Sequence, residues 1–219
     1  MDDNLCDATV VDSSGRGYHG VARHITSTLS TTGVINGALT FNGTDDYVTV
    51  PDRDEWTFNG DFTIILWVKY DTFYSIWWEG AFVGHDEGPY ERYKWIFSYD
   101  PVKMTTLFHI NGPDPFPFNG YAIRGNQWRA EAGVWYFIGL SRQCNTYTFY
   151  RDGIADGSKV NSVVIPNAAA PLTIGWAEGP RTFDGALDDV RIYDKALSGK
   201  EIDELYRAGL AASLIIPSQ

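Results

Sequence analysis

Two groups of side chains in this sequence could do chemistry: oxygen donors set beside glycine turns, and a surplus of aromatic rings. Near the C-terminus the chain reads FDGALDDVRIYDKALSGKEIDELYRAG, from Phe183 to Gly209. With period two, Ala186, Asp188, Val190 and Ile192 share one side of a strand. Val190 and Ile192 mark the buried side, so Asp188 is expected to point inward with them. A buried carboxylate needs a partner, because an unpaired charge in apolar surroundings is very costly. An arginine, a set of backbone amides or a bound cation would each serve. Near the N-terminus, Asp12 opens a polar loop with Ser13, Ser14, Gly15, Gly17 and Gly20. Glycines permit positive φ, so carbonyls can converge beside the carboxylate and make a corner suited to Ca2+, a hard cation that takes oxygen ligands. An Asx turn without an ion is the competing reading.

The rings concentrate between Tyr70 and Tyr99, in YDTFYSIWWEGAFVGHDEGPYERYKWIFSY. Aromatic faces with polar rims stack on sugar rings, whose C–H patches are apolar and flanked by hydroxyls. The competing use is to fill a core. Trp77 and Trp78 are adjacent, so within a strand they cannot both face inward, and one becomes a candidate platform. The polar, turn-forming GHDEGPYERY adds His85, Tyr90 and Arg92 as ligand-binding candidates. Trp176 joins them, because it stands at a strand end just before a polar loop. His109 alternates with Leu107 and reads as a packed core residue. The loop NGPDPFPFNG carries two exposed-looking rings, Phe116 and Phe118, and long loops of this kind are often functional.

The elements that must position these residues are short strands. Leu39 and Phe41 alternate with polar residues before an Asn-Gly turn. Phe62 to Val68 is apolar in both phases, which predicts a strand covered on both faces. Tyr93, Trp95, Phe97 and Tyr99 share one face of the next strand, and Asp152-Gly153 supplies a hairpin turn. Ser198 and Glu201 form a capping box for one short C-terminal helix, lined on one face by Ile202, Leu205 and Tyr206, with Gly209 as its expected stop. No linker or repeat divides the chain, so one domain is expected over residues 1–219.

Composition narrows the partners. Seventeen basic against 28 acidic residues give a net charge of −11. Such a surface repels nucleic-acid phosphates and anionic membranes but is compatible with cations and neutral glycans. No stretch approaches the length of a membrane span, and the opening residues carry no basic and apolar leader. Cys6 and Cys144 could pair or stay as two small buried hydrophobes.

The segment Leu187-Asp188-Asp189-Val190-Arg191-Ile192-Tyr193, followed by Ala-Leu-Ser and Glu-Ile, resembles the closing motif of laminin G-like, concanavalin A-like lectin-glucanase domains. The Asp-Ser-Ser-Gly opening, the Phe-Asn-Gly-Thr then Asp-Tyr-Val segment and the Tyr-Arg-Asp-Gly hairpin extend the resemblance over nearly the whole chain. Arg16 and Tyr18 depart from it, standing where small polar residues are commoner. The resemblance implies an all-β, two-sheet antiparallel jelly-roll sandwich with a short C-terminal helix. It also implies a structural Ca2+ held jointly by Asp12, Asn42, Thr44 and Asp188, a grouping that spacing alone could not produce.

The function implied is a non-catalytic carbohydrate-binding or adhesion module, extracellular or at the cell surface, with a glycan partner. An enzyme on the same jelly roll, a polysaccharide lyase or glycoside hydrolase, is the alternative. Hydrolysis needs two carboxyls flanking the bond, and the Glu-x-Asp-x-x-Glu strand of jelly-roll glucanases is not found. For a lyase, His85, His109, Tyr93, Arg92 and Arg124 are the candidate base and charge neutraliser, and nothing in their spacing selects among them. A protein-binding structural module is the third reading, and it predicts a flat apolar patch rather than an aromatic cleft.

Overall fold

The apolar, β-branched and aromatic runs form strands throughout. The computed structural model describes residues 1–76, 80–90, 92–117 and 119–214. In chain order the strands are β1 (Thr9–Val10), β2 (Gly20–Ala22), β3 (Ser30–Thr32), β4 (Gly37–Asn42), β5 (Val48–Val50), β6 (Phe62–Tyr70), β7 (Ala81–Asp86) and β8 (Lys94–Asp100). They continue with β9 (Thr105–Asn111), β10 (Tyr121–Gln127), β11 (Trp135–Gln143), β12 (Thr146–Arg151), β13 (Ile154–Val160), β14 (Leu172–Ile174) and β15 (Asp184–Tyr193). A four-residue helix, α1 (Thr26–Leu29), follows β2, and the chain closes with α2 (Gly199–Ser213).

The strands build two antiparallel sheets. One has eight strands in the order β1-β2-β5-β14-β7-β8-β9-β10, and the other has seven in the order β13-β12-β11-β6-β15-β4-β3. This is the expected jelly-roll sandwich. Neighbours such as β5 and β14, or β6 and β15, lie far apart in sequence, so the sheets interleave distant segments.

The core between the sheets is aromatic. Phe62, Ile64, Leu66 and Val68 of β6 meet Trp95, Phe97, Phe108 and Ile110 of the facing sheet. Phe62 lies 5.7 Å from Phe108 between ring centroids, and Trp95 stacks on Phe108 at 5.6 Å. The other phase of β6 is also covered, as its apolar pattern predicts. Ile65 and Trp67 pack with Phe137, Tyr150, Leu197 and Ile202 in a second cluster beneath α2.

That helix starts at the predicted capping box. Ser198 Oγ accepts from the Glu201 amide, and the Glu201 carboxylate accepts from the Ser198 amide at 2.7 Å. It does not stop at Gly209 but continues to Ser213. Gly209 serves close approach instead: a Cβ there would lie 2.9 Å from the Trp67 indole. Removing the side chain lets the helix settle on the ring.

The expected inward direction of Asp188 is corrected by a bulge. The pairing of β15 with β6 shifts register between Asp188 and Arg191, and Asp189 takes a left-handed φ of 49°. One extra residue flips the phase of the strand. Leu187 therefore faces the core between the sheets, as Val190 and Ile192 do beyond the bulge. Asp188 lies opposite Trp67, on the outer side.

Because the helix is seated by the absence of a side chain, Gly209→Val is expected to destabilise the fold by about 1–3 kcal/mol through overpacking. A thermal melt measures this, and an unchanged midpoint would show that α2 is not held against Trp67.

Candidate functional site

The four proposed ion ligands are not brought together. Asp12 sits in an Asx turn, its carboxylate accepting from the Ser14 amide at 2.9 Å, the Ser14 hydroxyl at 2.8 Å and the Tyr18 amide at 2.9 Å. Burial alone would raise its pKa, but these hydrogen bonds outweigh that and hold it below the ordinary value. Asn42 ends β4, and its side-chain oxygen accepts from the amides of Thr44, Asp45 and Asp46. Thr44 turns its hydroxyl back to the Asn42 carbonyl at 3.4 Å. Asp184, not Asp188, lies opposite Asn42 in the sheet. Asp188 is four residues further along, roughly 13 Å at the rise of a strand.

Asp188 is fully buried, and the amides of Val34 and Ile35 each donate to its Oδ2 at 2.8 Å. The terminal ammonium of Met1 approaches Oδ1 at 3.4 Å. Burial pushes its pKa up, and the Ile35 amide and the ammonium only partly oppose this. Of the three partners that a buried acid here could take, the structure shows backbone amides. Those two amides occupy Oδ2, and the strand spacing sets Asp188 apart from Asn42. Among the described residues, the one close group of metal-ligating side chains is His24, Asp45 and Asp46. There His24 Nδ1 already bonds Asp46 at 2.7 Å. Cys6 and Cys144 are both exposed and unbridged.

The ligand-binding candidates divide differently. Trp77 and Trp78 lie outside the described residues, as does Phe118. His85 is part of β7 rather than of a turn, and it is fully buried on the core side opposite Trp95. Its Nε2 lies 2.9 Å from the Ala170 carbonyl and 3.1 Å from Asp52. Its place is structural. Phe116 is also no exposed platform: it is half-buried and packs against the main core. Tyr90, by contrast, is 86% exposed on a left-handed backbone with φ of 71°. Arg92 is exposed beside it. Trp176 is half-buried and lies 5.4 Å from the Tyr47 ring, while its Nε1 donates to the Gly179 carbonyl at 3.2 Å.

Tyr90 and Trp176 belong to the loops after β7 and β14, and both loops meet the outer face of the eight-stranded sheet, one through Asn111, which donates to the Tyr90 carbonyl, and the other through Ala177, which packs on Ile96. Lys94, Ile96, Ser98 and Asp100 alternate along β8 with the core rings Trp95, Phe97 and Tyr99. Leu107, His109 and Asn111 do the same in β9 against Phe108 and Ile110. Every residue of both strands is buried, so this outer face is covered as well. Ile96 packs with Ala81 and with Ala177, the residue after Trp176.

Beneath the two loops lies Lys94, a buried lysine that sequence reasoning missed. Its ammonium donates to Glu178 Oε2 and to the Gly88 carbonyl, and lies 3.5 Å from Asp86. Burial raises the pKa of both acids, with Lys94 opposing the rise. The signal for this arrangement is apolar residues on both phases: Ile96 and Leu107 share the phase of Lys94 and His109, which a solvated face would not require.

A separate cleft of about 360 Å³ lies on the other sheet under α2, lined by Trp67, Trp135, Tyr136, Asp152 and Tyr206 among others. Its rings are largely engaged. Tyr206 packs on Trp67 and Phe137, and Lys69 lies over Trp135 at 5.3 Å. Asp152 accepts from the Phe137 amide at 3.0 Å.

His109 provides a pH test of the covered face. Its pKa is lowered to about 3, first by burial and then by the charges of Lys94 and Arg124. The unfolded chain binds the proton near pH 6.5 and the fold excludes it, so this contribution to stability is complete above pH 6.5. It falls with pH until about 3, by up to about tenfold in the folding constant per unit. In urea titrations His109→Gln is expected to lose stability less steeply than wild type over that window. Parallel curves would contradict the burial of a neutral imidazole.

The comparisons agree with this architecture. The family model described as the concanavalin A-like lectin/glucanases superfamily matches residues 42–203. No curated protein matches the sequence. Among solved structures, domain 4 of AbnA, a GH43 extracellular arabinanase from Geobacillus stearothermophilus in complex with arabinotriose, superposes with a TM-score of 0.68 at 23% identity. The match covers 91% of this chain and 93% of that one. The binding domain of Paraclostridial Mosquitocidal Protein 1 gives 0.66 at 18% identity, over 94% of this chain and 52% of that one. Trypanosoma rangeli sialidase in complex with the inhibitor DANA gives 0.62 at 17%, over 93% and 32%. This chain thus spans about half of the second of these proteins and a third of the sialidase. With three quarters of its length matched by the family model, the chain belongs to the concanavalin A-like lectin/glucanases superfamily.

Proposed function

We propose that this chain is a non-catalytic carbohydrate-binding module that takes an oligosaccharide on the outer face of its eight-stranded sheet. The observation that carries the reading is that Tyr90 and the Tyr47–Trp176 pair keep rings partly or largely open, on loops of which the two after β7 and β14 meet that face. Rings so placed offer apolar platforms to sugar C–H faces, and the adjoining Arg92 offers hydrogen-bond donors to hydroxyls. The arabinanase domain, solved with arabinotriose and matched over nearly its whole length, supports a module of this kind. No bound ion enters this reading, since affinity here rests on stacking and polar contacts. The excess of acidic residues favours neutral glycans over anionic ones.

Glycan-array screening followed by calorimetry with the best neutral oligosaccharide tests it. Tyr90→Ala changes an exposed ring, so its stability stays within about 0.5 kcal/mol of wild type. Its affinity is expected to fall about tenfold, the scale of one good ring contact. Trp135→Ala, in the cleft under α2, serves as the contrast and is expected to bind normally. Loss of binding in Trp135→Ala with none in Tyr90→Ala would move the site to the other sheet. Absence of binding to any glycan would overturn the proposal.

A further inference from the structure

We propose that Lys94 is a positioning residue for the sugar face: its buried ammonium ties together the two loops that carry Tyr90 and Trp176, and so sets the spacing of the platforms. The role in binding rests on the carbohydrate reading above, whereas the tether itself does not.

Two of the three N–H donors of the ammonium are taken by the Gly88 carbonyl and Glu178 Oε2, and Asp86 Oδ1 lies 3.5 Å away as an ion pair. Asp86 is the last residue of β7, Gly88 lies in the loop from β7 to β8, and Glu178 lies in the loop from β14 to β15. Lys94 and Glu178 are 84 residues apart in the chain. The Lys94 side chain is wholly inaccessible, Asp86 is 4% exposed and Glu178 is 14% exposed. The ammonium itself therefore cannot turn to water for a lost partner, and its oxygens are held by the need to match a buried charge.

Each loop is then fixed at its ring-bearing residue. Gly88 takes φ of 117° and donates its amide to Asp86 at 2.7 Å, while Asn111 Nδ2 donates to the Tyr90 carbonyl at 3.4 Å. On the other side the Trp176 carbonyl accepts from Thr173 Oγ1 at 2.7 Å, and Ala177 seats on Ile96. Without Lys94, the first loop keeps its local turn and the second its apolar foot. The direct bond between them is lost, and two carboxylates are left in a buried place without their cation.

Hydrogen–deuterium exchange on the full chain tests the tether, using wild type, Lys94→Met and Glu178→Ala. In Lys94→Met, exchange at Gly88, Tyr90 and Arg92 and at Trp176 through Gly179 is expected to quicken about tenfold or more, the scale of a lost charged hydrogen bond. The amides of β6 and β11, in the other sheet, keep their rates. Glu178→Ala frees only Trp176 through Gly179. Unchanged exchange in either loop of a folded Lys94→Met overturns the tether. If that variant does not fold, unchanged exchange at Trp176 through Gly179 in Glu178→Ala overturns it instead. Calorimetry with the neutral oligosaccharide found for wild type then reads the role in binding. Both variants are expected to bind about tenfold more weakly, and full affinity with loosened loops would overturn the positioning role. A wild type that binds no glycan removes the carbohydrate reading, and the exchange rates still decide whether the tether exists.

Discussion

The middle of the eight-stranded sheet has no side turned to water, and this constraint organises the rest of the molecule. Each of the seven residues of β8, and each of the seven of β9, is buried. One face presses rings into the space between the sheets, where burial of large side chains supplies most of the stabilisation. The other face carries a lysine, a histidine, an asparagine, a serine, an aspartate and two apolar residues, and it must be roofed. The loops after β7 and β14 roof the part of it that holds Lys94, Ile96 and Asn111. A roof over a charged floor has to match its charge, because an ammonium removed from water without partners is prohibitive. Glu178, Asp86 and the Gly88 carbonyl meet that demand. The rings of Tyr90 and Trp176 are carried by the same loops, so the chemistry of the floor and the shape of the surface are linked.

The opposite sheet solves the same problem with a helix. Trp67 and Ile65 leave β6 on its outer side, and α2 covers them by laying Gly209 against the indole. Asp188 belongs to this second layer, where it fastens the turn at residues 33–35 to the sheet through two amides. A buried acid that holds amides is a structural pin, and its invariable demand for partners explains why a short loop is drawn tightly over the end of the sheet.

Much of the architecture was legible in the sequence. The alternation and turn pairs gave the strands, the apolar run from Phe62 gave a strand covered on both faces, and Ser198 with Glu201 gave the helix start. What was not legible depended on single-residue backbone events and on long-range pairing. A bulge at Asp189 reversed the side on which Asp188 falls, and no local pattern announces one inserted residue. Gly209 looked like a stop because glycine serves both helix ends and close approaches, and only the position of Trp67 separates the two. His85 looked like a turn residue because His-Asp-Glu-Gly is polar, yet its pairing with Trp95 turned it to the core. Lys94 drew no notice in an alternating strand, because the acid that holds it lies 84 residues away. Tyr90 stood out in a polar, turn-forming segment and Trp176 at a strand end before a polar loop, and both keep rings partly or largely open because such places are spared from packing.

The central claim is that the covered outer face of the eight-stranded sheet, with its two ring-bearing loops, is where this molecule meets a sugar. The most direct measurement is amide chemical-shift mapping of the labelled chain during titration with a neutral oligosaccharide such as arabinotriose. The account predicts that the perturbed amides cluster at Tyr47, at Gly88 through Arg92 and at Gly175 through Gly179, with the helix α2 silent. Perturbations confined to the cleft beneath α2, or to the Asp12 loop, would contradict it.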